Sequence, residues 1–137
     1  RPEKLAFGNF VSQGLPFYGG NVTYELPIRV PEDGEYALKV PHYRGTLMKV
    51  SLDGGKQEYV VYPPYQLELG HLTAGEHRIS LTLFGHRRNG FGPVHLADLV
   101  ARWIGPEAWR TEGDSWCYDY MLCEEGVTST PVLHKRT

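Results

Sequence analysis

Apolar and polar residues alternate along much of the chain. From Val22 to Val30, the residues Val22, Tyr24, Leu26, Ile28 and Val30 fall on one face and Thr23, Glu25, Pro27 and Arg29 on the other, the period of a half-buried strand. Pro27 has no N–H for a ladder, so this strand belongs at an edge or carries a bulge. After a turn at Glu32-Asp33-Gly34, Tyr36, Leu38 and Val40 alternate with Ala37 and Lys39 in a second strand. A loop from Pro41 to Gly45 leads to a third strand, with Met48, Val50 and Leu52 on one face. Asp53-Gly54-Gly55 reads as a hairpin turn into a strand from Lys56 to Tyr62, which Pro63-Pro64 ends. A short strand around Leu67 and Leu69 and a turn at Thr73-Ala74-Gly75 follow. Next, His77, Ile79, Leu81 and Leu83 face away from Arg78, Ser80 and Thr82. Residues 96–104 predict another strand, Pro106 to Arg110 a helical turn, and Trp116 to Leu122 a last strand with Trp116, Tyr118, Tyr120 and Leu122 on one face.

About eight strands and almost no helix predict an all-β domain, an antiparallel two-sheet β-sandwich of jelly-roll type, with a closed barrel as the alternative. The chain of 137 residues, with 16 glycines and 10 prolines, reads as a single domain over 1–137. The glycine-bearing loop from Gly85 to Pro93 is long enough to carry function on a rigid scaffold. A net charge of −2 argues against nucleic acid or an anionic membrane as partner. There is no run of 18 apolar residues and no apolar stretch behind Arg1-Pro2-Glu3-Lys4, so neither a transmembrane helix nor a signal peptide is predicted; a mature fragment of a longer protein would look the same. Cys117 and Cys123 share the predicted last strand, where six residues would separate them by roughly 20 Å. Both read as free thiols, which favours a reducing, cytoplasmic compartment.

The chain lacks the Gly-x-Ser-x-Gly elbow, the phosphate-binding glycine loop, His-Glu-x-x-His and Cys-x-x-Cys. Glu107, Glu112, Asp114 and Asp119 show no spacing that singles out a glycosidase acid pair, and they read as surface residues. His77 is in phase with Ile79 and Leu81, which predicts burial in the core. His86 and His95 flank the long loop and could meet on a metal, but no cysteine or carboxylate stands at a supporting spacing, so no metal ligand is assigned. What remains is a set of polar-aromatic loops: His42, Tyr43 and Arg44; Tyr62 and Tyr65; and Arg88, Asn89 and Phe91 with His95. Such residues suit a sugar, whose C–H face stacks on aromatic rings while its hydroxyls bond Arg, Asn and His. The competing reading is that the aromatics cap the open ends of the sandwich and that Arg88 and Asn89 bond backbone carbonyls. Trp103, Trp109 and Trp116 read as core or lid residues.

The runs Gly19-Gly20-Asn21-Val22-Thr23-Tyr24-Glu25-Leu26, Val50-Ser51-Leu52-Asp53-Gly54 and Leu69 to His77 resemble the galactose-binding-like jelly-roll domains of large bacterial glycoside hydrolases, the family-two enzymes among them. Arg88 to His95 and Gly105-Pro106-Glu107-Ala108-Trp109 resemble a terminal β-sandwich module of long bacterial glycosidases. The resemblance implies a noncatalytic accessory domain, with the active site on a catalytic glycosidase domain elsewhere. In related carbohydrate-binding modules the sugar sits on loops at one end of the sandwich and a calcium ion often has a structural role, although no calcium loop can be matched here residue by residue. Other such domains only pack on the catalytic barrel. The first expectation is therefore a carbohydrate-binding module using the three loops. The second is a structural domain whose loops dock on a neighbour, and a catalytic role comes third for want of an acid/base pair.

Overall fold

A computed structural model describes residues 2–100 and 103–137. Seven strands form two antiparallel sheets. They are β1 (Asn21–Val30), β2 (Gly34–Lys39), β3 (Leu47–Leu52), β4 (Gln57–Val60), β5 (Gln66–Leu72), β6 (Gly75–Phe84) and β7 (Val132–Lys135). One sheet has the order β1-β6-β3-β4 and the other β5-β2-β7. β1, β3, β4 and β6 follow the alternation. β1 lies at a sheet edge, where Pro27 withholds no needed donor. At the β3–β4 hairpin Asp53 (φ 48°) and Gly54 (φ 71°) are both left-handed and the Gly55 N–H donates to Leu52 O at 2.8 Å, the type I′ turn that Asp-Gly favours.

Between the sheets the inward side chains of β1, β3 and β6 (Val22, Tyr24, Met48, Val50, Ile79, Leu81 and Leu83) meet Leu38 of β2 and the neighbouring Val40. Phe10, Val127 and Val60 complete this core. The N-terminal segment plugs one side: the Gly8 N–H donates to Val127 O at 2.7 Å and the Phe10 N–H to Glu125 O at 2.8 Å. A smaller cluster joins Val30, Tyr36 and Leu72. Tyr36, Ala37 and Leu38 are all buried because β2 is the central strand of its sheet and its register with β5 shifts between Tyr36 and Ala37.

Three expectations are corrected. The fourth strand is shorter than predicted, Gln57–Val60 rather than Lys56 to Tyr62. Neither 96–104 nor 116–122 is a strand among the described residues, of which 101 and 102 are not part. In their place, 94–97 meets 115–121 through scattered bonds: Ala97 N–H to Ser115 O at 2.9 Å, Cys117 N–H to His95 O at 2.7 Å and Met121 N–H to Val94 O at 2.7 Å. The stretch between them is interrupted by a 3-10 turn at Pro106–Trp109, where the helical turn was expected. One strand, β7, was not expected; it carries no clear alternation, with Val132 exposed and Leu133 half-buried.

Candidate functional site

The three loops behave differently. In the first two, Tyr43 packs its ring on Tyr65 at 4.8 Å between centroids, and both lie against the main core. The Tyr43 hydroxyl donates to Val60 O at 2.8 Å. Burial first, and the neighbouring Tyr65 second, push its pKa above the usual phenol value, so it acts as a neutral donor. The backbone around His42 and Arg44 is tied to the C-terminal segment, by Arg44 and Gly126 exchanging bonds of 2.8 and 3.0 Å and by Thr128 N–H to His42 O at 3.1 Å, while both side chains are exposed. Tyr62 is also exposed.

The third loop contains a single helical turn, α1 (Arg88–Phe91). Asn89 is 2% exposed; its amide Nδ2 donates to Cys123 O at 2.7 Å and its Oδ1 accepts the Cys123 N–H at 2.8 Å. That clamp uses Asn89 structurally. The Arg88 Nη1 donates to Leu99 O at 3.3 Å, so Arg88 tethers the following segment. Phe91 is exposed. His95 Nδ1 donates to Cys117 O at 2.9 Å, and its ring lies 5.6 Å from Trp116 and 4.8 Å from Tyr120. Tyr120 meets Phe17 edge-on at 5.0 Å, and Trp116 meets Tyr118 edge-on at 4.1 Å. The structure thus brings Tyr43 to Tyr65 and gathers His95 into a five-membered aromatic array, and no recorded hydrogen bond or ring contact joins the two groups among the described residues. The apparent period of 116–122 concealed this array: its side chains spread over an exposed surface and do not line one buried strand face.

Trp103 (78% exposed) and Trp109 (56%) lie outside the core, as do Val100 and Tyr118. Glu107, Glu112, Asp114 and Asp119 are exposed as expected. His77 is not an apolar core residue. It lies at the end of β6, its Nδ1 donating to Asp53 Oδ2 at 2.7 Å and its Nε2 to Thr73 O at 2.8 Å.

His86 and His95 do not meet. His86 instead pairs with Glu125, which sequence reasoning passed over because nothing in its run of 124–126 marks it as interior. Glu125 is fully buried, accepts the His86 N–H at 2.6 Å and lies 3.3 Å from His86 Nδ1. Burial pushes its carboxyl up and His86 opposes the shift. Among the described residues no three His, Cys, Asp or Glu side chains converge to hold a metal ion. Cys117 and Cys123 are free thiols, although the strand from which this was inferred is absent. A cleft of about 760 Å³ between residues 2–7 and Val22–Leu26 of β1 includes none of the nine candidate residues.

No family model matches this chain, and no curated protein does. Solved structures do match. A rhamnosidase from Novosphingobium sp. PP1Y superposes with a TM-score of 0.59 at 19% identity, over 85% of this chain and 11% of that one. A GH2 β-galacturonidase from Eisenbergiella tayi, in structures bound to galacturonate and to glycerol, gives a TM-score of 0.56 at 18% identity over 93% of this chain and 19% of that one. The chain therefore spans only 11% to 19% of the length of the proteins it resembles, and what it shares with them is the fold: an antiparallel β-sandwich found as one portion of large glycoside hydrolases.

Proposed function

We propose that this chain is a noncatalytic accessory domain of a glycoside hydrolase, and that it packs on a neighbouring domain of the same polypeptide through the segment 91–120. The observation that carries this reading is the breadth of exposed apolar surface there: Val100 is 85% exposed, Trp103 78% and Tyr118 87%, with Phe91 and Tyr120 alongside. Large exposed apolar side chains gathered in one segment suit an interaction site, and interfaces between domains of one chain are commonly of moderate size and mixed polarity. The likeness to small portions of two glycosidases supports the choice of neighbour.

Carbohydrate recognition is the second reading, favoured by the aromatic array around His95. Of the nine residues expected to touch sugar, Tyr43, Tyr65, Arg88, Asn89 and His95 are engaged within the domain. His42, Arg44, Tyr62 and Phe91 are exposed and would join Tyr118 and Tyr120 as stacking or bonding groups.

Hydroxyl-radical footprinting of the full-length polypeptide beside this 137-residue chain tests the first reading. Packing requires Trp103, Trp109 and Tyr118 to be labelled several-fold less in the full-length protein. Equal labelling, together with saturable binding of this chain on a glycan array that Tyr118→Ala abolishes, would replace packing with sugar binding.

A further inference from the structure

The packing surface differs from the rest of the molecule in its charges as well as its rings. Elsewhere six of the ten carboxylates have cationic or imidazole partners among the described residues. Glu32 is 2.8 Å from Lys135, Glu58 is 2.7 Å from Lys56, Asp53 is 2.7 Å from His77, and Glu68 pairs with Arg136. Between 98 and 124 there are six acids, Asp98, Glu107, Glu112, Asp114, Asp119 and Glu124. Each is exposed, and none forms an ion pair among the described residues. The sequence of this stretch holds two arginines, 102 and 110, so it carries 2 − 6 = −4, whereas the whole chain carries −2 and the remainder therefore +2.

We infer that the surface against which 98–120 packs is cationic, presenting Lys and Arg side chains to these carboxylates and to the exposed rings of Trp103, Trp109 and Tyr118. The inference rests on the packing reading and adds the chemistry of the partner. Unpaired carboxylates taken out of water at an apolar interface are costly, and a facing guanidinium or ammonium group offsets much of that cost. The same cations suit the rings, because the face of Trp or Tyr attracts a positive charge, arginine above all. An acidic partner would meet like charge along the same segment, which costs affinity and specificity.

The test is the same footprinting of the full-length polypeptide at low salt and at 1 M NaCl, with a variant carrying Glu112→Gln, Asp114→Asn and Asp119→Asn. At 1 M salt the screening length falls to about 3 Å. A cationic partner predicts that labelling of Trp103 and Tyr118 rises several-fold at high salt and in the variant, and that a carbodiimide joins carboxylates of 98–120 to lysines of the neighbouring domain. Protection that survives both high salt and neutralisation, without such cross-links, would overturn the cationic partner and leave the packing reading standing. Absence of protection at any salt would overturn both. Because the three substituted side chains are exposed, an unchanged thermal midpoint of the 137-residue variant separates loss of docking from loss of fold.

Discussion

The sandwich strands β1 to β6 and the segment 85–124 are built from similar residues used in opposite ways. In β6, Ile79, Leu81 and Leu83 are buried to within 1%, and every second residue faces solvent. In 98–120 Val100, Trp103, Trp109, Tyr118 and Tyr120 are exposed, and among the described residues the backbone forms scattered bonds without a ladder and no acid forms an ion pair. The same hydrophobic content thus makes a core where its period matches a pleat and a contact surface where it does not. Apolar residues alone do not identify an interior.

The comparison breaks most sharply on truncation. Leu81→Ala should cost about 2–5 kcal/mol, the range for emptying a packed site, whereas Tyr118→Ala should stay within about 0.5 kcal/mol, as exposed substitutions do. Urea unfolding of this chain measures both. A Tyr118→Ala loss comparable to that of Leu81→Ala would mean that the segment is core after all.

A smaller effect is expected at the clamp between the two regions. Asn89→Ala leaves the half-buried N–H and C=O of Cys123 without their partner, which should cost about 1–3 kcal/mol. It should also speed amide exchange at Cys123 more than in β6. Equal acceleration in both would show that the segment does not open independently of the sandwich.

The fold was legible where one face of a strand is wet and the other dry. β1, β3 and β6 could be read off Val22, Met48, Ile79 and their alternate neighbours, and the β3–β4 turn off Asp53-Gly54. β7 was not legible, because Val132 to Lys135 shows no clear dry face. Segment 116–122 misled because aromatic rings at alternate positions resemble a buried face until the ring contacts are known. The candidate site was legible only in part. Arg88 and Asn89 were recognised as important, and the alternative that they serve the backbone is what their bonds to Leu99 and Cys123 support. Glu125 was invisible because the groups against it, Phe10, Gly85 and His86, are all distant in sequence.

Glu125 gives the two regions a pH-dependent joint. Its buried carboxyl titrates above the ordinary 4.5 in the folded protein, burial outweighing His86. Below 4.5 the group is protonated in both states and its contribution to stability is complete. As pH rises toward the folded pKa the unfolded chain releases the proton first, and stability is lost. Glu125→Gln keeps an oxygen for the His86 N–H and cannot ionise, so its thermal midpoint should fall less than that of the parent as pH rises above 4.5. Parallel curves would refute the assignment.

The smallest effect belongs to Asp53 and His77, wholly within the sandwich. The hydrogen bond from His77 first, and that from the Arg78 N–H second, hold the Asp53 carboxyl below its ordinary 3.8. The bond to Asp53 first, and that to Thr73 O second, raise His77 above its ordinary 6.5. For the depressed acid, stability is present above 3.8 and is lost as pH falls through the folded pKa. For the raised base, it is present below 6.5 and is lost as pH rises through the folded pKa. The pair therefore contributes fully between 3.8 and 6.5 and declines on both sides. Asp53 is 48% exposed at its side chain, so solvent and salt screen the interaction. His77→Gln should flatten the midpoint-versus-pH curve slightly at low salt and scarcely at high salt. The Glu125 effect, sealed from water, should keep its size when salt is added. If both respond to salt alike, Glu125 is not isolated from solvent, and the joint between sandwich and segment is looser than its buried carboxylate implies.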